Sequence, residues 1–136
     1  MTVIDTSAFM KFVLHENGWE AVLPYLSTGS SPETVDLLIT ESANVLWKSA
    51  RAGLIEKSLV SELYSSVELL CTKGPLLLEP ASSCMAEALS IALLFDTPVY
   101  DALFIAKAHL DQAPLVTADR HQALCAKKYG VKAILV

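Results

Sequence analysis

A single α/β domain, built on a parallel sheet with helices packed on both faces, is the architecture this sequence predicts. Two observations lead there. Short, mostly apolar runs of strand length alternate with longer stretches of helical spacing along the whole chain, the pattern of a sheet covered on both sides. The 136 residues are enough for one domain with a core of its own, with no need of disulfides or a structural metal.

The elements read in order as follows. Thr2–Ile4 is a short apolar strand, followed by helices over 7–14 and 19–26. The stretch from Ser27 to Pro32 is a loop. Residues 35–39 form a continuous apolar run of strand length. The helical spacing over 41–52 stops at Gly53, a typical residue just past a helix end. A longer amphipathic helix covers 56–71 and closes at Gly74 and Pro75. A third strand at 76–78 precedes a helix over 82–95, with Ser82 or Ser83 as its cap. A helix over 100–110, a strand at Leu115–Thr117, a helix at Arg120–Lys128 and a strand at Ala133–Leu135 complete the chain.

Composition excludes several classes. No apolar run approaches the roughly 20 residues a bilayer span needs, and the N-terminus has no signal-peptide pattern. Cys71, Cys84 and Cys125 are odd in number and lack C-x-x-C spacing. Buried free thiols in a reducing, cytoplasmic compartment are expected rather than a disulfide framework or a zinc site. The net charge of −5 runs against the basic footprint of most nucleic-acid binders. A carboxylate cluster that holds divalent cations accounts for part of that deficit. The 53% hydrophobic content points to apolar surface covered by a partner.

The fifteen acidic residues divide by position. Glu16, Glu20, Glu33, Glu56, Glu62, Glu68, Glu87 and Asp111 read as solvated surface groups. In parallel sheets, functional side chains gather at the carboxyl ends of strands, where the strand order reverses. Asp5 directly follows the first strand. Glu41 stands just past the second and opens a helix. Asp119 stands just past the fourth. Asp36 lies at the amino end of its strand, which puts it on the far side of the molecule. Glu79 ends the third strand and competes on this criterion, Asp96 falls in a loop, and Asp101 follows no strand but stands in the first turn of a helix. Helix capping and dipole effects explain each carboxylate singly, though not their convergence at one end of a sheet. A convergent cluster suits Mg²⁺ or Mn²⁺, hard cations with oxygen ligands, and phosphodiester hydrolysis. Thr6, Ser7 and Thr117 are placed to bind water or phosphate oxygens, and Arg120 to contact a phosphate. His121 lies near Asp119, Lys48 and Arg51 are on a helix that starts near the site, and Trp19 and Trp47 read as packing residues.

Four segments carry a resemblance: Val3-Ile4-Asp5-Thr6-Ser7-Ala8, Thr40-Glu41-Ser42-Ala43-Asn44-Val45-Leu46, Tyr100-Asp101-Ala102-Leu103-Phe104-Ile105-Ala106 and Leu115-Val116-Thr117-Ala118-Asp119. In this order and spacing, over essentially the whole chain, they resemble the PIN-domain nucleases, and within them the VapC-like toxins. The resemblance implies one domain over 1–136, a PIN-like three-layer fold and a five-stranded parallel sheet of order 3-2-1-4-5. It implies Asp5, Glu41, Asp101 and Asp119 as catalytic residues and metal ligands, with Asp101 resting mainly on the resemblance. It further implies a Mg²⁺- or Mn²⁺-dependent endoribonuclease, an RNA substrate, a small antitoxin that covers the hydrophobic surface, and a homodimer. A non-catalytic PIN-like module that binds RNA or protein is the main rival. An aspartyl-phosphate phosphatase wants a second aspartate where Ser7 stands. A receiver domain wants its phosphoacceptor where Glu79 stands and a lysine after the last strand, where the chain ends.

Overall fold

Five short strands meet edge to edge through strictly parallel pairing in the computed structural model, which describes residues 1–136. They are β1 (Thr2–Ile4), β2 (Pro32–Val35), β3 (Leu77–Glu79), β4 (Leu115–Thr117) and β5 (Ala133–Leu135), and their order is β3-β2-β1-β4-β5. The helices are α1 (Thr6–Val13), α2 (Leu37–Arg51), α3 (Val60–Thr72), α4 (Met85–Phe95), α5 (Val99–Leu110) and α6 (Arg120–Lys128), with 3₁₀ turns between several of them. All three residues of β1 and of β4 are buried. Since successive strand residues point to opposite faces, the central strands are covered on both sides. The fold and strand order are those expected from the sequence.

The sheet reverses between β1 and β4. Val3 stands opposite Leu115 and Ile4 opposite Val116, and the Asp5 N–H continues the ladder to the Val116 carbonyl at 3.1 Å. The two segments that follow these strands therefore leave the sheet side by side. The core beneath is formed by Phe9, Met10, Leu38, Leu46, Ile91, Phe104 and Ile105, all essentially inaccessible to solvent.

One strand is displaced from its expected place. The second strand is Pro32–Val35, not 35–39, and Leu37–Ile39 form the first turn of α2. Leu38, Ser42 and Leu46 are its buried positions, four residues apart. A short apolar run is ambiguous between strand and buried helix. Pro32 is tolerated because it opens the strand, where no ladder N–H is lost. Asp36 consequently sits at the carboxyl end of β2, not on the far side. There its carboxylate accepts from the Ala81 N–H at 2.8 Å and its own N–H donates to the Glu79 carbonyl. That commits it to the β2–β3 edge, away from the switch point. The helix end at Gly53 is as expected: its φ of 75° is left-handed, which favours glycine. No side chain caps the turn before α4, which Pro80 rather than a serine introduces.

Lys107 is the largest departure from the surface reading of the acids. It lies on α5, whose residues from Ala102 to Ala108 are all buried. Its ammonium reaches Glu33 at 2.9 Å, Glu79 at 3.6 Å and Asp111 one turn on. Glu33 and Asp111 are thus members of a half-buried ion cluster, not free surface groups. Glu87 is also engaged, accepting from the Tyr129 hydroxyl at 2.7 Å and lying 2.8 Å from His109. The three cysteines are free; Cys84 and Cys125 are buried and Cys71 half-buried.

Candidate active site

Above the β1–β4 switch the surface opens into a cavity of about 930 Å³, and Asp5, Glu41, Asp101 and Asp119 all line it. Each arrives by a different route. Asp5 leaves β1 and caps α1, accepting from the Ala8 N–H at 2.9 Å. Asp119 leaves the β4 end and caps α6, accepting from the His121 and Gln122 N–H groups at 2.7 and 3.1 Å. Both capping readings therefore hold, and both residues face the cavity as well. Asp101 stands in the first turn of α5. Glu41 does not open its helix. It lies in the second turn of α2 and reaches the cavity because Leu37, Thr40, Glu41, Asn44, Val45 and Lys48, spaced three and four residues apart, share one face.

Hydroxyl groups hold two of the acids in place. Thr6 Oγ1 donates to Glu41 Oε1 at 2.6 Å, tying α1 to α2. Ser7 Oγ donates to Asp5 Oδ1 at 2.7 Å and accepts from the Ala118 N–H at 2.9 Å. Thr117, fully buried, donates to Asp5 Oδ2 and accepts from the Asp119 N–H at 3.0 Å. All three hydroxyls donate to carboxylates, Thr6 to Glu41 and Ser7 and Thr117 to Asp5, which positions those acids. Ser7 and Thr117 also touch each other at 3.1 Å. Two hydroxyl protons cannot serve all three contacts among Asp5, Ser7 and Thr117. With Asp5 ionised, the Ser7–Thr117 approach has no proton of its own; protonation of Asp5 would supply one.

The electrostatics agree. Burial pushes the Asp5 carboxyl up from 3.8 to about 6, against the opposing pull of its hydrogen bonds, and the Asp119 charge adds to the rise. Burial also raises Glu41, with further repulsion from Asp101 and Asp5. Asp101 is raised by burial and by Asp119, and His121 partly offsets this. Three acids that resist ionisation side by side are ones that a cation would stabilise. The donor set is all oxygen, which fits a hard divalent ion. As the side chains stand, however, no group of three or more His, Cys, Asp or Glu is drawn together closely enough to hold one ion. The acids ring the cavity without converging on one point.

Arg120 is exposed at the start of α6 and does not line the cavity. Lys48 does, as the one Lys or Arg among the lining residues, and so does Glu16. The sequence reading missed Gln122 altogether. It is buried, lines the cavity, and donates from Nε2 to the Asp101 carbonyl at 2.9 Å, joining α6 to α5 beneath two of the acids. Its position three residues after Asp119 on a helix was the available signal.

Comparison with known proteins agrees with this topology. A curated relative, Ribonuclease VapC3 of Pyrobaculum aerophilum, is 31% identical over 121 residues, covering 89% of this chain and 91% of the relative. The crystal structure of PAE2754 from Pyrobaculum aerophilum superimposes with a TM-score of 0.69 at 25% identity, covering 97% of this chain and 82% of that one. FitAcB from Neisseria gonorrhoeae gives a TM-score of 0.64 at 19% identity, over 98% and 96% of the two chains. A toxin–antitoxin complex from Klebsiella pneumoniae gives 0.65 at 12% identity, over 90% of each. The last two speak to the fold alone. The PIN domain model matches residues 2–128, and with almost the whole chain matched in this way, the protein belongs to the PIN domain family.

Proposed function

We propose that this chain is a metal-dependent endoribonuclease and the toxin half of a toxin–antitoxin pair. The observation that carries the reading is the meeting of four carboxylates, from four separate segments, around one open cavity. The name of the 31%-identical relative, a ribonuclease, supports RNA as the substrate. A small antitoxin as partner is what the resemblance to the VapC-like toxins implies, and the 31%-identical relative carries the VapC name. Exposed leucines such as Leu54, Leu89 and Leu93 provide apolar surface for an antitoxin or a second copy in a homodimer. No single helix is long and apolar enough to cross a membrane.

In this reading Asp5, Glu41, Asp101 and Asp119 would hold Mg²⁺ or Mn²⁺. Such an ion, when bound, lowers the pKa of water and offsets charge on the phosphate oxygens. The chain itself supplies orientation. Ser7 and Thr117 fix both oxygens of Asp5, Thr6 aims Glu41, and the α6 N-terminus holds one oxygen of Asp119 while the other remains available.

The rival reading is a PIN-like module that binds RNA or protein without cleaving it. It is favoured by the lack of any three side chains drawn together at one ion position. Purified protein, freed of any antitoxin, is to be incubated with RNA in Mn²⁺ or Mg²⁺ and in EDTA. Cleavage that requires the metal supports the nuclease. Retention of RNA without cleavage in either metal supports the binding module.

A further inference from the structure

The carboxylate cavity continues along α2 into a strip that the acids do not explain. Thr40 and Asn44 line the cavity. At 100° per residue Trp47 lies about 20° from Thr40 around the helix axis, and Arg51 about 20° from Asn44. The strip therefore runs outward from the cavity for about two turns of helix. Trp47 is 53% exposed on it, contrary to the packing role expected of it. The Arg51 guanidinium lies 5.3 Å from the centre of its ring. Lys48 flanks it on the cavity side. Neither Lys48 nor Arg51 takes part in any ion pair of the fold. In a chain of net charge −5, two uncommitted cations around an exposed aromatic ring form a local exception beside the acids.

We propose that this strip is the track for the single-stranded RNA that flanks the cleaved bond. A base stacks on Trp47 within reach of Arg51, while Lys48 and Arg51 each neutralise a backbone phosphate. An aromatic face with flanking cations is the chemistry that recognises unpaired nucleotides. The same cations argue against an apolar partner, because docking one here would strip water from both charges with no carboxylate to receive them. The proposal rests on the RNA reading of the cavity and deepens it.

The test uses binding, so that it can fail separately from cleavage. An Asp101→Asn background slows cleavage. A labelled 12-nucleotide single-stranded RNA is mixed with it in Mn²⁺, and affinity is read by anisotropy within seconds. Trp47→Ala is expected to weaken binding by about 5- to 150-fold, the range for one lost base stack, and Trp47→Phe to restore most of it. Lys48→Gln and Arg51→Gln are each expected to flatten the slope of log affinity against log salt by about 0.7. Leu110→Ala, an exposed leucine at the end of α5 away from the cavity, serves as the unaffected control. Affinity within twofold of the parent for Trp47→Ala, or unchanged salt slopes, overturns the track and leaves the strip to a protein contact. A parent that does not bind also overturns it. If Asp101→Asn cleaves as fast as wild type, the reading of the acids fails while the affinity comparison still decides the track.

Discussion

Asp5→Asn isolates the electrostatic cost built into the cavity. The side chain is only 4% exposed, and its carboxyl is raised from 3.8 to about 6. At about 1.4 kcal/mol per tenfold change in proton affinity, that corresponds to about 3 kcal/mol. The folded state holds the proton more tightly than the unfolded chain. Its contribution is therefore fully present below pH 3.8, falls away between 3.8 and about 6, and is absent above. Glu41 and Asp101 are raised as well and push in the same direction. Asparagine mimics the protonated acid. Its carbonyl accepts from Ala8 and Ser7, and its amide donates to Thr117, which can then donate to Ser7. Metal-free Asp5→Asn should therefore be more stable than wild type at pH 7.5 by up to about 3 kcal/mol, or about 10 °C in melting temperature for a domain of this size. The difference should shrink as pH falls toward 4. The assay is urea or thermal unfolding of both proteins in EDTA across pH 4–8. A variant less stable than wild type at pH 7.5, or a difference that does not change with pH, would refute the reasoning and leave Asp5 as an ordinary helix cap.

Three further outcomes follow from other contacts. Thr117→Val removes the donor to Asp5 and the acceptor of the Asp119 N–H. It should lower metal-dependent cleavage about 10- to 100-fold, with Thr117→Ser recovering most of the loss; equal recovery by alanine would contradict the positioning role. Lys107→Met leaves Glu33, with 12% of its side chain exposed, unpaired beside two further acids. The expected loss is about 3 kcal/mol in urea unfolding at neutral pH, largely relieved by adding Glu33→Gln; a loss below about 1 kcal/mol sinks the ion-cluster argument. Gln122→Leu should cost about 0.5–1.5 kcal/mol by removing its bond to the Asp101 carbonyl, which keeps its helical bond, and hydrogen exchange should quicken at the start of α5 if the Gln122 bond joins the two helices.

The central strands were legible because their environment is uniform. Thr2–Ile4 and Leu115–Thr117 lie where the apolar runs put them, and so does the edge strand Ala133–Leu135. Asp5 and Asp119 follow at once, since the parallel register of β1 and β4 brings their carboxyl ends together. Glu41 reached the cavity for a different reason than the one that selected it. The strand-end rule, applied to the true β2, selects Asp36, and only helical periodicity brings Glu41 to the cavity. Asp101 is equally a product of helix placement, which the family resemblance encoded and local pattern did not. Lys107 and Glu33 stayed hidden because a charge buried by a distant partner looks, in one dimension, like a charge on the surface. An amphipathic position fits packing and stacking alike at Trp47; its exposure and the Arg51 guanidinium one turn on emerge only once the helix is formed.

The most direct measurement is the rate of single-stranded RNA cleavage by wild type and Asp101→Asn, side by side in Mn²⁺ and in EDTA, with circular dichroism to confirm that both are folded. Asp101 lines the cavity and caps no helix through its side chain, so its removal acts on the site rather than the fold. Cleavage by wild type in Mn²⁺ alone, reduced by about 100-fold or more in the variant, is the predicted result. Equal rates for the two proteins, or cleavage that persists in EDTA, would contradict the account.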